Sequence, residues 1–416
     1  MRALTRTAIL SALLPALLAG GAAAPAAAAG GEGFLYGKIT TRDGKSYQGR
    51  LRWDDEEAFW GDFFNSSKQE NRWVDEAPDR ERRRGRRTVE LFGFELASID
   101  EWHDGETRQF VSRFGDIARL EPGHGDEVTV TLKSGTRFEL EGGSNDVEAK
   151  VTVWDSGVGE IGIDWRHIRS IDLMPAPASL SVAEPRLYGT VKTRSGDFTG
   201  YVQWDQEECL GNDELDGETD DGDMSIKMGN IRSIARRSRS SSTVTLKDGR
   251  DVVLSDTNDV DSSNRGIYVE DPRYGRVLVG WDAFERVDFR DGGSGPGYHA
   301  FAPGQPLAGI VTVAGGRKLS GRLVFDLDES ETTEMLDGER RDVEYSIPFA
   351  LVQTIVPGPD STRVVLRSGG ELQLDDTTDV GGDNAGLLVY EIGKERPAYV
   401  PWEDVELIEL AAPKKG

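Results

Sequence analysis

Two sets of side chains in this sequence have the types and spacing to do chemistry. The first is a run of guanidinium groups, DRERRRGRR, which places Arg80, Arg82, Arg83, Arg84, Arg86 and Arg87 close together. Just before it, AFWGDFFN gathers Phe59, Trp60, Phe63 and Phe64, and Trp73 follows. Guanidinium forks grip phosphate, sulfate or carboxylate groups, and an indole such as Trp60 stacks on a sugar ring or on a partner's side chain. These six arginines and Trp60 are therefore the expected anion- or partner-binding residues. The second set is a pair of matched acidic loops. SDTNDVDSSNRG carries Asp256, Asp259, Asn264 and Gly266, and DDTTDVGGDNAG repeats them as Asp376, Asp379, Asn384 and Gly386. Loop oxygens of this kind are what Ca²⁺ takes as ligands, which makes Asp256, Asp259, Asp376 and Asp379 metal candidates. The same residue types also bond their own backbone in tight turns, and Asn-x-Gly suits a turn with positive φ. A shortened copy, GGSNDV, keeps Asn145 and Asp146 but lacks the Asn-x-Gly end. The structural turn is the reading carried forward, with no cofactor expected.

Catalytic constellations are sparse. His103, His124, His167 and His299 do not fall at metal-ligand spacing, and no G-x-S-x-G elbow or phosphate loop occurs. The acidic run NDELDGETDDGD lacks the ligand alternation of an EF-hand. A hydrolase using paired carboxyls is the outlying reading, since it needs a cleft to hold substrate. A non-enzymatic chain is the expectation.

The elements that must position these residues are β-strands arranged in repeats. An aromatic-x-x-aliphatic-x-x-aliphatic signature recurs as Phe114/Ile117/Leu120, Trp165/Ile168/Ile171, Trp281/Phe284/Val287, Phe349/Val352/Ile355 and Trp402/Val405/Ile408, with Met228/Ile231/Ile234 as a variant. Its three-residue spacing suits one 3₁₀ turn that drops the aromatic into a core. Three openings also match: LYGKITTRDGKSYQGRLRWDDEE, LYGTVKTRSGDFTGYVQWDQEE and LAGIVTVAGGRKLSGRLVFDLDE. Each reads as a strand, a glycine turn and a returning strand. Self-similarity of this kind marks a repeat architecture. Each unit runs strand, turn, strand, longer loop, strand, 3₁₀ turn, closing strand. That succession resembles a small SH3-like or Sm-like β-barrel, and the resemblance implies a fold pattern without a family function. Units of this size bury too little surface to stand alone, so pairing is expected. The Pro/Gly-rich linkers MPAPASLSVAEP and DGGSGPGYHAFAPGQP fall only between pairs. The expected fold is all-β: three tandem domains, 30–174, 187–290 and 307–411, each a pair of SH3-like barrels strung as beads. The first carries an insertion spanning 58–90 that its barrel is not expected to need.

The first 29 residues place Arg2 and Arg6 before an apolar run and an alanine-rich stretch, as in a secretory signal peptide. Periplasmic or secreted localisation is expected, with no membrane-spanning segment in the mature chain. A formal net charge of −25 repels phosphates, so nucleic acid is not an expected partner. A protein or an anionic cell-envelope polymer is. The single cysteine, Cys209, excludes an intramolecular disulfide, and stability must come from packed sheets. The function expected is that of an acidic interaction or scaffold module. The alternative is a binding module for an anionic polysaccharide or lipid head group.

Overall fold

The computed structural model describes residues 29–54, 56–78, 108–142, 144, 146–182, 185–375 and 379–414. It is all-β and antiparallel, with no α-helix among the described residues and no helix long and apolar enough to cross a membrane. The N-terminal segment read as a signal lies outside them.

Each repeat writes the same ten strands, five in each half. In the second repeat the first half is Tyr188–Thr193, Gly196–Gln203, Glu214–Thr219, Gly222–Lys227 and Ile231–Arg236. The second half is Ser241–Leu246, Asp251–Ser255, Ile267–Asp271, Gly275–Val279 and Phe284–Phe289. A hairpin, a second hairpin, a tight turn and a closing strand make up each half. The tight turn is a 3₁₀ helix at five of the six signatures, including Phe114–Asp116 and Trp402–Asp404. At Trp281 it is a turn of another type. All three signature side chains are buried in every copy. The third residue of one signature faces the third residue of the other across the closing strands: Leu120 opposite Ile171, Ile234 opposite Val287 and Ile355 opposite Ile408.

The two halves exchange edges. Tyr188–Thr193 pairs with Gly196–Gln203 of its own half and with Phe284–Phe289 of the other. Gly196–Gln203 pairs onward with Ile267–Asp271. Ile231–Arg236 takes Ser241–Leu246 and Phe284–Phe289 as its neighbours. Separate closed barrels were expected; three open sheets of ten, twelve and eight strands are formed instead. The physical reason is that each hairpin's free edge is satisfied by the other half, so a five-strand unit completes itself by exchange rather than closure. At the bend of each opening hairpin two glycines pair: Gly37 with Gly49, Gly189 with Gly200, Gly309 with Gly321. A Cβ on Gly200 would sit 1.8 Å from the Glu270 carbonyl oxygen, so only glycine admits that crossing strand.

The repeats also pack on one another, unlike beads on a string. Strand Val343–Pro348 of the third repeat pairs with Gly275–Val279 of the second, which is why the second sheet has twelve strands. Phe34, Ala58 and Phe59 of the first repeat meet Val182 of the first linker and the buried free Cys209 and Leu210 of the second repeat. The second linker crosses the first repeat: Phe301 joins that core, and Lys133 Nζ donates to the carbonyls of Tyr298 and Phe301 at 2.6 and 2.9 Å. Proline and glycine in that linker therefore mark a docked path rather than a free tether.

Candidate functional site: the anchored insertion and the paired carboxyls

The aromatic part of the supposed insertion is frame. Phe63–Lys68 and Arg108–Arg113 form a hairpin, in register Phe63↔Arg113 to Lys68↔Arg108. It is the counterpart of Glu214–Lys227 in the second repeat, so the first repeat does need residues up to Lys68. The extra chain is 69–107, which replaces a two-residue turn at Asp220–Asp221. Trp60 is fully buried; its indole N–H donates to the Glu32 carbonyl at 3.0 Å and its ring lies 4.7 Å from that of Tyr298. It is a core residue and not an exposed stacking surface, because the turn that leads into Phe63–Lys68 folds it into the first repeat's aromatic core. Arg80, Arg82, Arg83, Arg84, Arg86 and Arg87 lie outside the described residues.

Both roots of that extra chain are tied to the third repeat. On the way out, Lys68 Nζ meets Asp328 at 2.6 Å and Glu334 at 3.7 Å, and Asn71 Nδ2 donates to the Leu327 carbonyl at 2.9 Å. Trp73 packs on Tyr390 at 6.2 Å, and Ala77 is buried among Val324, Leu327 and Leu388. On the way back, Arg108 pairs with Asp326 at 3.0 Å. Arg72 and Arg322 flank Trp73 at 4.4 and 5.2 Å, and Arg322 also covers Tyr390 at 4.0 Å.

The acidic loops act as backbone clamps. Asp259 Oδ2 accepts the Asp216 N–H at 2.6 Å, Asp379 Oδ2 accepts the Asp337 N–H at 2.8 Å, and Asp146 Oδ2 accepts the Asn65 N–H at 2.7 Å. Each thereby fastens a second-half loop to a first-half hairpin. Asp256 is exposed, adopts a φ of 63°, and accepts the Ser255 hydroxyl at 2.6 Å. Asp376 lies outside the described residues. Among the described residues no three or more His, Cys, Asp or Glu side chains converge as a metal cage. Asp259 and Asp379 thus sit where loop architecture uses their oxygens. Asn264 and Asn384 cap the Asn-x-Gly turns, their side-chain oxygens accepting the N–H groups of Gly266 and Gly386.

Beside each clamp stands a glutamate that the sequence reading passed over. Glu57, Glu208 and Glu329 close a tight turn opened by Trp53, Trp204 and Phe325, with reciprocal backbone bonds such as Trp204 N–H to the Glu208 carbonyl at 2.8 Å. The turn's second residue, Asp54, Asp205 or Asp326, holds a φ of 47°, 49° or 47°. Burial and the neighbouring Asp259 push Glu208 up to about 9. Glu57 beside Asp146 and Glu329 beside Asp379 are raised for the same two causes. Burial lifts Asp259 to about 6 and Asp146 to about 7. The signal was present in WDDEE, WDQEE and FDLDE, where an acid stands four places after the aromatic. Carboxyls with displaced pKa values mark functional sites in many proteins. Here the same pair recurs in all three repeats with the same backbone contacts, which is the mark of a construction element.

No protein-family model matches this chain, and no curated protein matches it. A solved streptogramin B lyase structure aligns with 71% of this chain and 94% of that one, at 9% identity and a TM-score of 0.16. A likeness that slight carries no argument about fold or activity.

Proposed function

We propose that this chain is an exported, non-catalytic interaction or scaffold module of the periplasm or cell exterior. In this reading an acidic β-frame, its half-repeats keeping the strand order of small SH3-like units, presents the Arg80–Arg87 segment to an anionic partner. The observation that carries it is the anchoring of both roots of residues 69–107 on the third repeat, through Lys68, Asn71 and Trp73 on one side and Arg108 on the other. A loop without a role in the frame gains nothing from two such attachments, whereas a loop that must be held in place does. Excess negative charge elsewhere repels an anionic partner from the rest of the surface and so orients it. A polysaccharide or lipid head group is the second reading, favoured by the arginine and aromatic side chains at the root, Arg72, Trp73, Arg322 and Tyr390. The hydrolase reading has less support, because Asp146, Asp259 and Asp379 are committed to backbone clamps and the carboxyl groups of the glutamates beside them are buried.

The test is the variant with Arg82, Arg83, Arg84, Arg86 and Arg87 changed to serine in the full chain. It is to be compared with wild type for capture of proteins from the exported fraction, of a sulfated polysaccharide, and of anionic lipid vesicles. The expected result is lost capture with an unchanged melting temperature. Wild-type capture should weaken as salt rises, since exposed charges are screened over about 8–10 Å at ordinary ionic strength. Unaltered capture by the variant at low salt overturns the proposal.

A further inference from the structure

The seam between the second and third repeats has a counterpart that the first and second leave unbuilt. Strand Gly275–Val279 accepts strand Val343–Pro348 in the register Arg276↔Ser346, Val277↔Tyr345, Leu278↔Glu344 and Val279↔Val343. The equivalent strands one repeat earlier are Gly159–Ile163 and Gly222–Lys227. Shared ladders fix that equivalence: Ile163 faces Val151 as Val279 faces Ile267, and Asp216 faces Ser225 as Asp337 faces Ser346. Both of these strands stand at the end of their sheets, each with one edge unpaired among the described residues.

Side chains at the two places differ in burial in the way a missing partner requires. At the built seam Tyr345 is 3% exposed and packs edge-on against Phe198 and Tyr274, with ring centres 5.9 and 5.7 Å away. The corresponding residues at the unbuilt seam are Met224, Tyr47 and Val158. Met224 is 37% exposed and Val158 63%, two of the four large hydrophobic residues that stand out from the described surface. Tyr47 and Ile161, the counterpart of Val277, are half-buried. On the opposite face of the transferred ladder Gly162 falls opposite Asp223, and Lys150 lies across Gly162. An ammonium group therefore meets that carboxylate.

We infer that Gly159–Ile163 of one copy of this chain pairs with Gly222–Lys227 of a second copy, in the register Glu160↔Ser225, Ile161↔Met224, Gly162↔Asp223 and Ile163↔Gly222. Within one copy the first and second repeats are already joined elsewhere, by Phe34 and Phe59 against Cys209 and Leu210, with Arg186 stacked 3.8 Å from the Phe59 ring. That joint leaves both strands open. Each copy carries both partners, so two copies that exchange them close a symmetric dimer. The third repeat shows how an edge is finished when no strand is to join it. Its edge strand Ala398–Val400 has three residues, and Pro397 takes the place of Arg276.

The test uses the full chain without its first 29 residues. Sedimentation velocity should show concentration-dependent association, and Met224→Asp should weaken it about tenfold or more. Met224 is exposed in the single copy, so at concentrations where both chains are monomeric this variant should keep the wild-type melting temperature. Mixed Ile161→Cys and Met224→Cys chains should form a disulfide between copies under mild oxidation. Three outcomes overturn the proposal: a monomer at every concentration, a dimer indifferent to Met224→Asp, or a double Ile161→Cys/Met224→Cys chain that closes its disulfide within one copy.

Discussion

Raising the pH should weaken this protein across a range where acid more often does the damage, and Glu208 is the group to probe. Its carboxyl moves from an ordinary 4.5 to about 9 because burial takes its charge out of water and Asp259 stands beside it. A carboxyl that binds its proton more tightly when folded contributes fully below its unfolded pKa. It loses that contribution as the pH climbs through the folded value. The window for Glu208 therefore runs from about 4.5 to about 9, and Glu57 and Glu329 act in the same direction. At about 1.4 kcal/mol per pH unit the whole interval is worth about 6 kcal/mol for this one group. Partial exposure and relaxation around the charge reduce the working figure to about 1–2 kcal/mol. The assay is urea unfolding of wild type and Glu208→Gln, at about pH 5 and about pH 8.5. Wild type should lose stability between the two, and the glutamine variant, which carries no charge at either pH, should lose less. If both chains lose the same amount, or if wild type gains stability with rising pH, the glutamate is ionised in the folded protein and the reasoning fails.

Two further substitutions test the frame. Gly200→Ala forces a methyl to 1.8 Å from a backbone oxygen that cannot swing away, and should cost about 3 kcal/mol in urea unfolding, while Gly382→Ala, with nothing within 4 Å, serves as control. Trp204 donates its indole N–H to the Asp259 carbonyl at 2.9 Å, whereas in the third repeat Phe325 lacks that donor and Asn384 Nδ2 supplies it to Asp379 at 2.8 Å. Asn264 Nδ2 is buried without a partner and is positioned to do the same. Trp204→Phe should therefore cost little by thermal melting beyond lost packing, and adding Asn264→Ala should cost about 1–2 kcal/mol more than the sum of the single changes.

Periodicity made the strands and cores legible, because a strand hides every second side chain whatever it pairs with. The six signatures and the opening hairpins could be read that way. Pairing partners could not. Alternation in Gly196–Gln203 says that one face is buried, but it does not say that the next strand over is Ile267–Asp271 rather than a strand of its own half. The boundary of the insertion was missed for a related reason. Phe63 and Phe64 look like a cluster in an unusual loop, yet their neighbours alternate as in the strand Phe63–Lys68, and the copies in the other repeats have different side chains there. Glu57, Glu208 and Glu329 hid among so many acids that a conserved spacing of four carried little contrast. Their role depends on a turn whose left-handed aspartate is visible only in the backbone.

The short loop that follows this tight turn carries contacts that join the repeats. Four residues after the start of a short loop, Asp62, Asp213 and Glu334 each accept two backbone N–H groups: Ala58 and Phe59, Cys209 and Leu210, Ser330 and Glu331. Those bonds already offset much of the cost of burying a carboxylate, so a cation from a neighbouring repeat can approach at little further expense. Each of the three has one. Asp62 faces Arg186 and Arg276 at 3.8 Å, Asp213 faces Arg52 at 4.0 Å, and Glu334 faces Lys68 at 3.7 Å. An element first required to cap a loop inside one repeat thus serves as the acceptor where the first repeat meets the second and the third. Removing Lys68 would leave the buried Asp328 and Glu334 carboxylates without that cation, a loss of about 3–5 kcal/mol in comparable settings. The seams are consequently part of the fold, and the arginine-bearing loop is rooted in a frame that spans all three repeats.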